Sequence, residues 1–255
     1  MKDAQIMGII NVTPDSFSDG GKFNTPKKAL AQAIRMEKEG ACIVDIGGES
    51  TGPGSKAVSI KEELKRIIPV IREIKKHTKL KISVDTYKFE VAKTALQAGA
   101  DMINDVSGLR FGKEKMAKLI AKYKCHIVIM YSKNKTPHAT IKQKKYTDVI
   151  KTIKEFFDKQ ISFAEKNGIK RSQIILDPSM GQFISAISKY SYEIIARLNE
   201  LKSYDLPILI GISRKSFLGG KLNERDEKGS LLEALAYING VSIIRTHNVK
   251  TTKHA

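Results

Sequence analysis

The sequence predicts a single (β/α)8 barrel over residues 1–255, and three observations predict it. Short apolar runs alternate with amphipathic stretches from one end of the chain to the other, the order that builds a parallel sheet covered by helices. The runs are branched and nearly continuous, as in "ILIGI", which is the composition of strands buried on both faces. No Pro/Gly-rich linker divides the chain, and α/β barrels of about 250 residues commonly form one unit.

The elements follow in order. Strands are expected at "IMGIIN" (6–11), "CIVDI" (42–46), "KISVD" (81–85), "DMIND" (101–105), "HIVIM" (126–130), "QIILD" (173–177), "ILIGI" (208–212) and "SIIRT" (242–246). Helical patterns fall between them near 27–39, 60–77, 88–98, 113–123, 147–168, 190–202 and 229–239. A doubly wound open sheet is the rival, but it places a Gly-rich phosphate turn after strand one. Here strand one runs into "NVTPDSFSDGG", which lacks that form. Segment 131–147, "YSKNKTPHATIKQKKYT", reads as a long, mobile polar loop, and loops 12–24 and 48–58 are also expected to be mobile. After Thr246 only "HNVKTTKHA" remains, so the eighth helix is expected to be short or missing.

Composition narrows the function. The formal net charge is +18, from 45 Lys+Arg against 27 Asp+Glu. The lysines spread over helical patterns, and no basic run carries interleaved aromatics, so a solvated surface is favoured over a nucleic-acid interface. No apolar window reaches membrane-spanning length and no secretory leader is evident, which points to a cytoplasmic, reduced setting. Cys42 and Cys125 lie at apolar strand segments and read as small buried hydrophobes rather than a disulfide or metal pair.

Function in such barrels gathers at the carboxyl ends of the strands. Those ends carry Asn11, Asp45, Asp85, Asn104, Asp105, Asp177, Arg214, Lys215, Ser216, Arg245 and His247. Singly, each has a plain explanation as a helix cap or surface charge. Together, carboxylates and amides with three cations on one rim suit a polar planar ligand bearing an anionic group. Arg245 and His247 beside Asn11 suit phosphate oxygens, and Asn11 offers one neutral oxygen to Mg²⁺. Asp85, Asn104 and Asp177 suit the edge of a nitrogen heterocycle. No HExxH, P-loop or Cys/His cluster is present.

With those residues named, the chain resembles the dihydropteroate synthases along essentially its whole length. The blocks that carry the resemblance are "GIINVTPDSFSDGG", "DIGGESTGPGS", "SVDTYKFEVA", "INDVSG", "ILDPSMG", "SRKSFLG" and "RTH". The resemblance implies a transferase joining 6-hydroxymethyl-dihydropterin pyrophosphate to 4-aminobenzoate in folate biosynthesis, by an SN1-like substitution. It implies that Asp85, Asn104, Asp177 and Lys215 hold the pterin, and that Asn11, Arg245 and His247 hold the pyrophosphate, with Mg²⁺ at Asn11. Phe17, Thr51, Pro53 and Ser216 would line the aminobenzoate pocket, with Arg214 beside it, and a homodimer is implied. Asp85, Asp177, Lys215, Arg245 and His247 are the residues expected to carry catalysis.

The chain departs from the family pattern at three places. Gly52 stands where "ESTRPG" has Arg, Tyr131 stands where strand five is commonly followed by His, and "DPSMGQFIS" replaces the usual "DPGxGFGK". The last two features look like the sulfonamide-insensitive branch. Either Phe183 and Ile184 reshape the aminobenzoate site and weaken sulfonamides more than substrate, or the loop has simply drifted. Two rival functions remain at this point: a corrinoid methyltransferase-like pterin barrel using methyltetrahydrofolate, and a non-catalytic basic binding barrel.

Overall fold

The computed structural model describes residues 4–13 and 25–255. Eight strands form one parallel sheet in the order β6-β5-β4-β3-β2-β1-β8-β7. They are β1 (Gln5–Asn11), β2 (Ile43–Gly47), β3 (Lys81–Asp85), β4 (Met102–Asp105), β5 (His126–Met130), β6 (Ile174–Asp177), β7 (Leu209–Ile210) and β8 (Ile243–Thr246). A parallel bridge between Leu176 and Ile208 joins the two edges and closes the cylinder. Helices α1 (Pro26–Lys38), α2 (Ile60–His77), α3 (Phe89–Gln97), α4 (Lys113–Tyr123), α5 (Val149–Lys166), α6 (Lys189–Ala196) and α7 (Leu222–Ile238) follow the strands in turn, and α8 (Val249–His254) ends the chain.

Side-chain alternation along the strands builds two different layers inside this cylinder. At the amino-terminal end Met7, Ile43, Met102, Val128, Ile175, Leu209 and Ile243 pack together in a dry plug. Two residues further along, the same inward positions become Asp45, Ser83, Asn104, Asp177 and Arg245. The outward residues, among them Val44, Ile46, Ile82, Ile103, Ile127 and Ile244, join the helices in the main core. Each such side chain, fully buried, contributes about 1.5–3 kcal/mol. The interior thus turns from apolar to polar over one strand repeat, and the polar end is the carboxyl mouth.

Several boundaries differ from the sequence reading, for local reasons. Strand β7 keeps only Leu209–Ile210, and the expected 190–202 helix leaves α geometry at Arg197 (φ −109°, ψ 16°) and continues as a 3₁₀ turn, Leu198–Tyr204. Helix α7 begins at Leu222 and runs through the glycine that marked the expected start. A Cβ on Gly229 would lie 3.9 Å from the Ser213 Cα, so this glycine lets α7 pack closely against the strand-seven loop. The last helix does form, in six residues. The Asn248 side chain caps it through the Thr251 amide at 3.2 Å, and Val249 is buried beneath it. Cys42 is exposed rather than buried, while Cys125 is buried; both are free thiols. Burial pushes the Cys125 thiol up to about 11. Among the described residues no helix is long and apolar enough to cross a membrane.

Candidate active site

The polar layer is organised around Asp45, which is fully buried. Its Oδ2 accepts from Arg245 Nε at 2.7 Å and from Asn104 Nδ2 at 2.9 Å. Arg245 extends further, and its Nη2 donates to Asp85 Oδ2 at 3.2 Å. Residues from β8, β2, β3 and β4 are therefore tied by one guanidinium and one carboxylate. A third carboxylate, Asp177 at the end of β6, accepts the Ser179 amide at 2.6 Å. Ser179 holds φ +67° to allow this, a conformation rare for a non-glycine residue.

Burial sets the protonation states. It pushes Asp85 up to about 7, with the Asp45 charge adding to the rise and Arg245 opposing it. It pushes Asp177 up to about 6 against the pull of Lys215, the Ser179 amide and Arg245. Lys215 is driven down to about 8 by burial, with Asp177 opposing. His247 falls well below the ordinary histidine value through burial and then through Arg214, Arg245 and Lys215, so its ring is neutral at neutral pH. Shifts of this kind, produced by burial plus specific partners in a cleft, mark a functional site.

A cavity of about 420 Å³ opens over this layer, of the size that holds a small ligand. Asn11, Asp85, Arg245 and His247 line its depth, and Lys215, Ser216 and Arg214 enter from the strand-seven loop. Thr51 and Pro53 line it from the loop after β2, and Phe183 from the loop after β6. The Lys215 Nζ stands 5.7 Å from the Phe183 ring centroid. Asn104 and Asp177, each 6% exposed, are coupled to this wall through Asp45 and Lys215. Arg214, at φ +60°, donates from Nε to Asp226 on α7 at 3.0 Å, so its charge also braces the helix. His247 is seated by Ser213, whose Oγ accepts the His247 amide at 3.2 Å and lies 3.1 Å from Nδ1.

The glycines of "DIGGEST" are there for space. A Cβ on Gly48 would lie 2.7 Å from Ile67 Cγ2, inside contact distance. At Gly47 the missing side chain leaves room beneath Asn11, whose Oδ1 would lie 3.4 Å from a Cβ there.

Asn11, Thr51, Pro53, Asp85, Phe183, Arg214, Lys215, Ser216, Arg245 and His247 are thus brought together, with Asn104 and Asp177 at their edge. Phe17 lies outside the described residues. Ile184 does not reach the cavity: it is fully buried in the main core, and its carbonyl accepts the Tyr146 hydroxyl at 2.8 Å. The sequence reading gave no site role to Asp45, Thr13 or Gln182. Asp45 looked like one more strand-end carboxylate, and only its inward register next to Arg245 could have signalled otherwise. Thr13 and Gln182 line the cavity, and their Oγ1 and Oε1 atoms are buried without a hydrogen-bond partner among the described residues. Segment 131–147 is not a loose excursion. Tyr131, Ser132 and Asn134 are buried, Lys133 Nζ reaches the Thr140 carbonyl at 3.0 Å, and the Ala139 amide donates to the Thr51 carbonyl at 2.9 Å.

A closed parallel barrel whose carboxyl mouth couples three carboxylates to an arginine and a lysine has a counterpart among known proteins. The chain belongs to the pterin-binding enzyme family, which matches residues 7–247. Within it the similarity is to the dihydropteroate synthases. The enzyme of Synechocystis sp. is 41% identical over 256 residues, covering 98% of this chain and 86% of that protein. The Clostridium difficile dihydropteroate synthase solved in the presence of pteroic acid superposes with a TM-score of 0.88 at 42% identity, over 99% of this chain and 94% of the other. The Xanthomonas albilineans enzyme with 4-aminobenzoic acid gives 0.90 at 36% identity, over 99% and 90%. These likenesses favour the synthase over both the corrinoid methyltransferase-like barrel and the non-catalytic binding barrel.

Proposed function

We propose that this chain is a transferase that condenses 6-hydroxymethyl-7,8-dihydropterin pyrophosphate with 4-aminobenzoate, giving 7,8-dihydropteroate and pyrophosphate. The observation that carries the reading is the single mouth where Arg245 touches both Asp45 and Asp85 while Lys215 and His247 line the same cavity. Asp85, Asn104 and Asp177 offer acceptors and donors to the heterocycle edge, with Lys215 alongside. Arg245 and His247 face the diphosphate, the first as a charged guanidinium and the second as a neutral imidazole.

Chemistry begins with scission of the methylene C–O bond, the electron pair leaving with the diphosphate. Arg245 stabilises that charge with a hydrogen bond from His247 beside it, while Asp85 and Asp177 in their ionised forms stabilise the cation left on the pterin. The amine lone pair of aminobenzoate then closes the C–N bond, and the nitrogen passes its proton to the departed diphosphate or to solvent. No protein nucleophile is required; preorganised charge and positioning account for the rate. Asn11 would hold Mg²⁺ through its amide oxygen, where Gly47 leaves space and the neutral donor suits an ion that keeps most of its waters. Held there, Mg²⁺ would add positive charge beside the diphosphate. Thr51, Pro53 and Ser216 line the aminobenzoate end, with Phe17 expected to join them.

Three finer features belong to the same reading. The enzyme is a cytoplasmic homodimer, since α7 exposes Leu231, Leu235 and Ile238 at 73%, 42% and 66% on one helical stripe, a face suited to burial against a second copy. Sulfonamide sensitivity is reduced, because Phe183 crowds the cavity beside Lys215. The test is release of pyrophosphate that depends on added aminobenzoate, with Lys215→Ala lowering turnover at least about 100-fold. Turnover without aminobenzoate, or none alongside salt-steep nucleic-acid binding, refutes the reading.

A further inference from the structure

Glu49, two residues before Thr51, is 3% exposed at its side chain and engages four groups from different parts of the chain. Its Oε1 accepts the Tyr87 hydroxyl at 2.8 Å and lies 3.1 Å from His138 Nε2, out of line for a strong hydrogen bond. Its Oε2 accepts the Val58 amide at 2.9 Å and pairs with Lys88 Nζ. Lys88 Nζ in turn bonds the Val58 carbonyl and Glu63 Oε2 on α2 at 2.6 Å. Both backbone groups of Val58 are thereby used, and the loop from Glu49 to Val58 is closed on itself at its base. Inside it, Ser55 Oγ donates to the Gly52 carbonyl at 2.6 Å, which sets the turn that presents Thr51 and Pro53. The fourth side comes from the long segment after β5. His138 faces Glu49, and the next residue, Ala139, donates its amide to the Thr51 carbonyl at 2.9 Å.

Burial disfavours the charge on both carboxylates, but the two end differently. In Glu49 the bonds from Lys88, Val58 and Tyr87 outweigh burial, and the group sits below the usual carboxylate range. In Glu63 burial wins and the group sits above it. Glu49 is thus the fixed anion of the cluster, and a buried anion holds its donors firmly because any loosened one leaves it unpaired.

We propose that Glu49 and His138 are positioning residues that set the reach of the Thr51–Pro53 loop over the cavity and so govern capture of the aromatic amine rather than of the pterin. The inference rests on the function proposed above and adds to it. Floor groups Asp85, Asn104 and Asp177 come from strands and do not move with this loop. Thr51 and Pro53 belong to the rim loop itself. The segment after β5 thereby acquires a role: it brings His138 and Ala139 to brace the rim from outside.

The test is steady-state kinetics of His138→Ala, His138→Gln and Glu49→Gln, with both substrates varied, beside hydrogen exchange of residues 48–58. His138→Ala is expected to raise KM for 4-aminobenzoate about tenfold, or about 1.4 kcal/mol, with KM for the pterin substrate within about twofold. Exchange in the loop should rise in parallel, and His138→Gln should recover part of both. Equal change in both KM values, an unchanged aminobenzoate KM, or unchanged exchange overturns the proposal. Absence of turnover in the wild type overturns the function reading instead, and exchange in His138→Ala then decides the brace by itself. Should Glu49→Gln fail to fold, the histidine pair carries the test.

Discussion

Asp177→Asn should stabilise the ligand-free protein while disabling it, and the gain should depend on pH. Burial raises the Asp177 carboxyl from 3.8 to about 6, so the folded state resists its charge more than Lys215 and the Ser179 amide favour it. At about 1.4 kcal/mol per tenfold change in proton affinity, that gap is roughly 3 kcal/mol. A carboxyl raised on folding costs nothing below its unfolded value, and its full cost is present once the pH has passed the folded value. The cost is therefore complete at pH 8 and reduced to about 1 kcal/mol at pH 4.5. Asparagine keeps the shape and an oxygen for Ser179 but has no charge to desolvate. Its own burial costs the same at both pH values, so the difference between them reports the carboxylate together with its pairing to Lys215. Thermal unfolding of wild type and variant at the two values is the assay, at about 2–4 °C per kcal/mol for a chain of this size. We expect the variant's advantage at pH 8 to exceed that at pH 4.5 by about 2 kcal/mol, with kcat/KM down at least about 100-fold. An advantage that is equal at both pH values, or smaller at pH 8, refutes the assignment of Asp177 as a carboxylate held against its burial for function.

Asp45→Asn removes the charge that adds to the rise of Asp85. Both carboxylates hold the one guanidinium of Arg245, and like charges this close couple by roughly 3 kcal/mol in a medium of effective dielectric about 20. The acid limb of kcat/KM should therefore move down by about 1–2 pH units; an unchanged or raised limb contradicts the coupling. Leu231→Glu combined with Ile238→Glu should convert a dimer to a monomer in light scattering with the fold retained, and a monomeric wild type rules the interface out. Phe183→Gly should lower the ratio of the sulfamethoxazole inhibition constant to the aminobenzoate KM about tenfold, and a sub-micromolar inhibition constant in the wild type ends that idea.

The barrel was legible because its physics is local and repeated. A strand buried on both faces must be branched and apolar along its length, and seven helical stripes between such strands leave few ways to pack. The rim was legible for the same reason: where "CIVDI" or "QIILD" changes from apolar to acidic, the interior has met solvent or a ligand. Roles that depend on partners distant in the chain were not legible. Asp45 and Asp177 look alike in sequence, yet Asp45 anchors Arg245 and Asn104 through one oxygen, while Asp177 takes the Ser179 amide and is raised by burial. Arg214 looked like a cation for the ligand and is also spoken for by Asp226. Phe183 and Ile184 are neighbours in one loop, and the 3₁₀ turn Gly181–Phe183 sends one into the cavity and leaves the other in the core.

The same distinction explains why the long segment after β5 was misread. Its composition is that of a solvated loop, since lysines and threonines outnumber apolar residues, and nothing within it announces a partner. What holds it down is complementary chemistry elsewhere: the carbonyl of Thr51, the carboxylate of Glu49 and the hydroxyl of Tyr190, which accepts the Tyr146 amide at 2.9 Å. None of these contacts is apolar enough to leave a periodic trace, and each joins groups far apart in the chain. A polar loop that packs by satisfying backbone groups, with Tyr131, Ala139 and Tyr146 as widely spaced apolar anchors, is invisible to hydrophobic patterning because those anchors form no period. At the mouth of a barrel such loops supply the walls of the site, so sequence patterning exposes the catalytic floor far more readily than the residues that decide which second substrate fits above it.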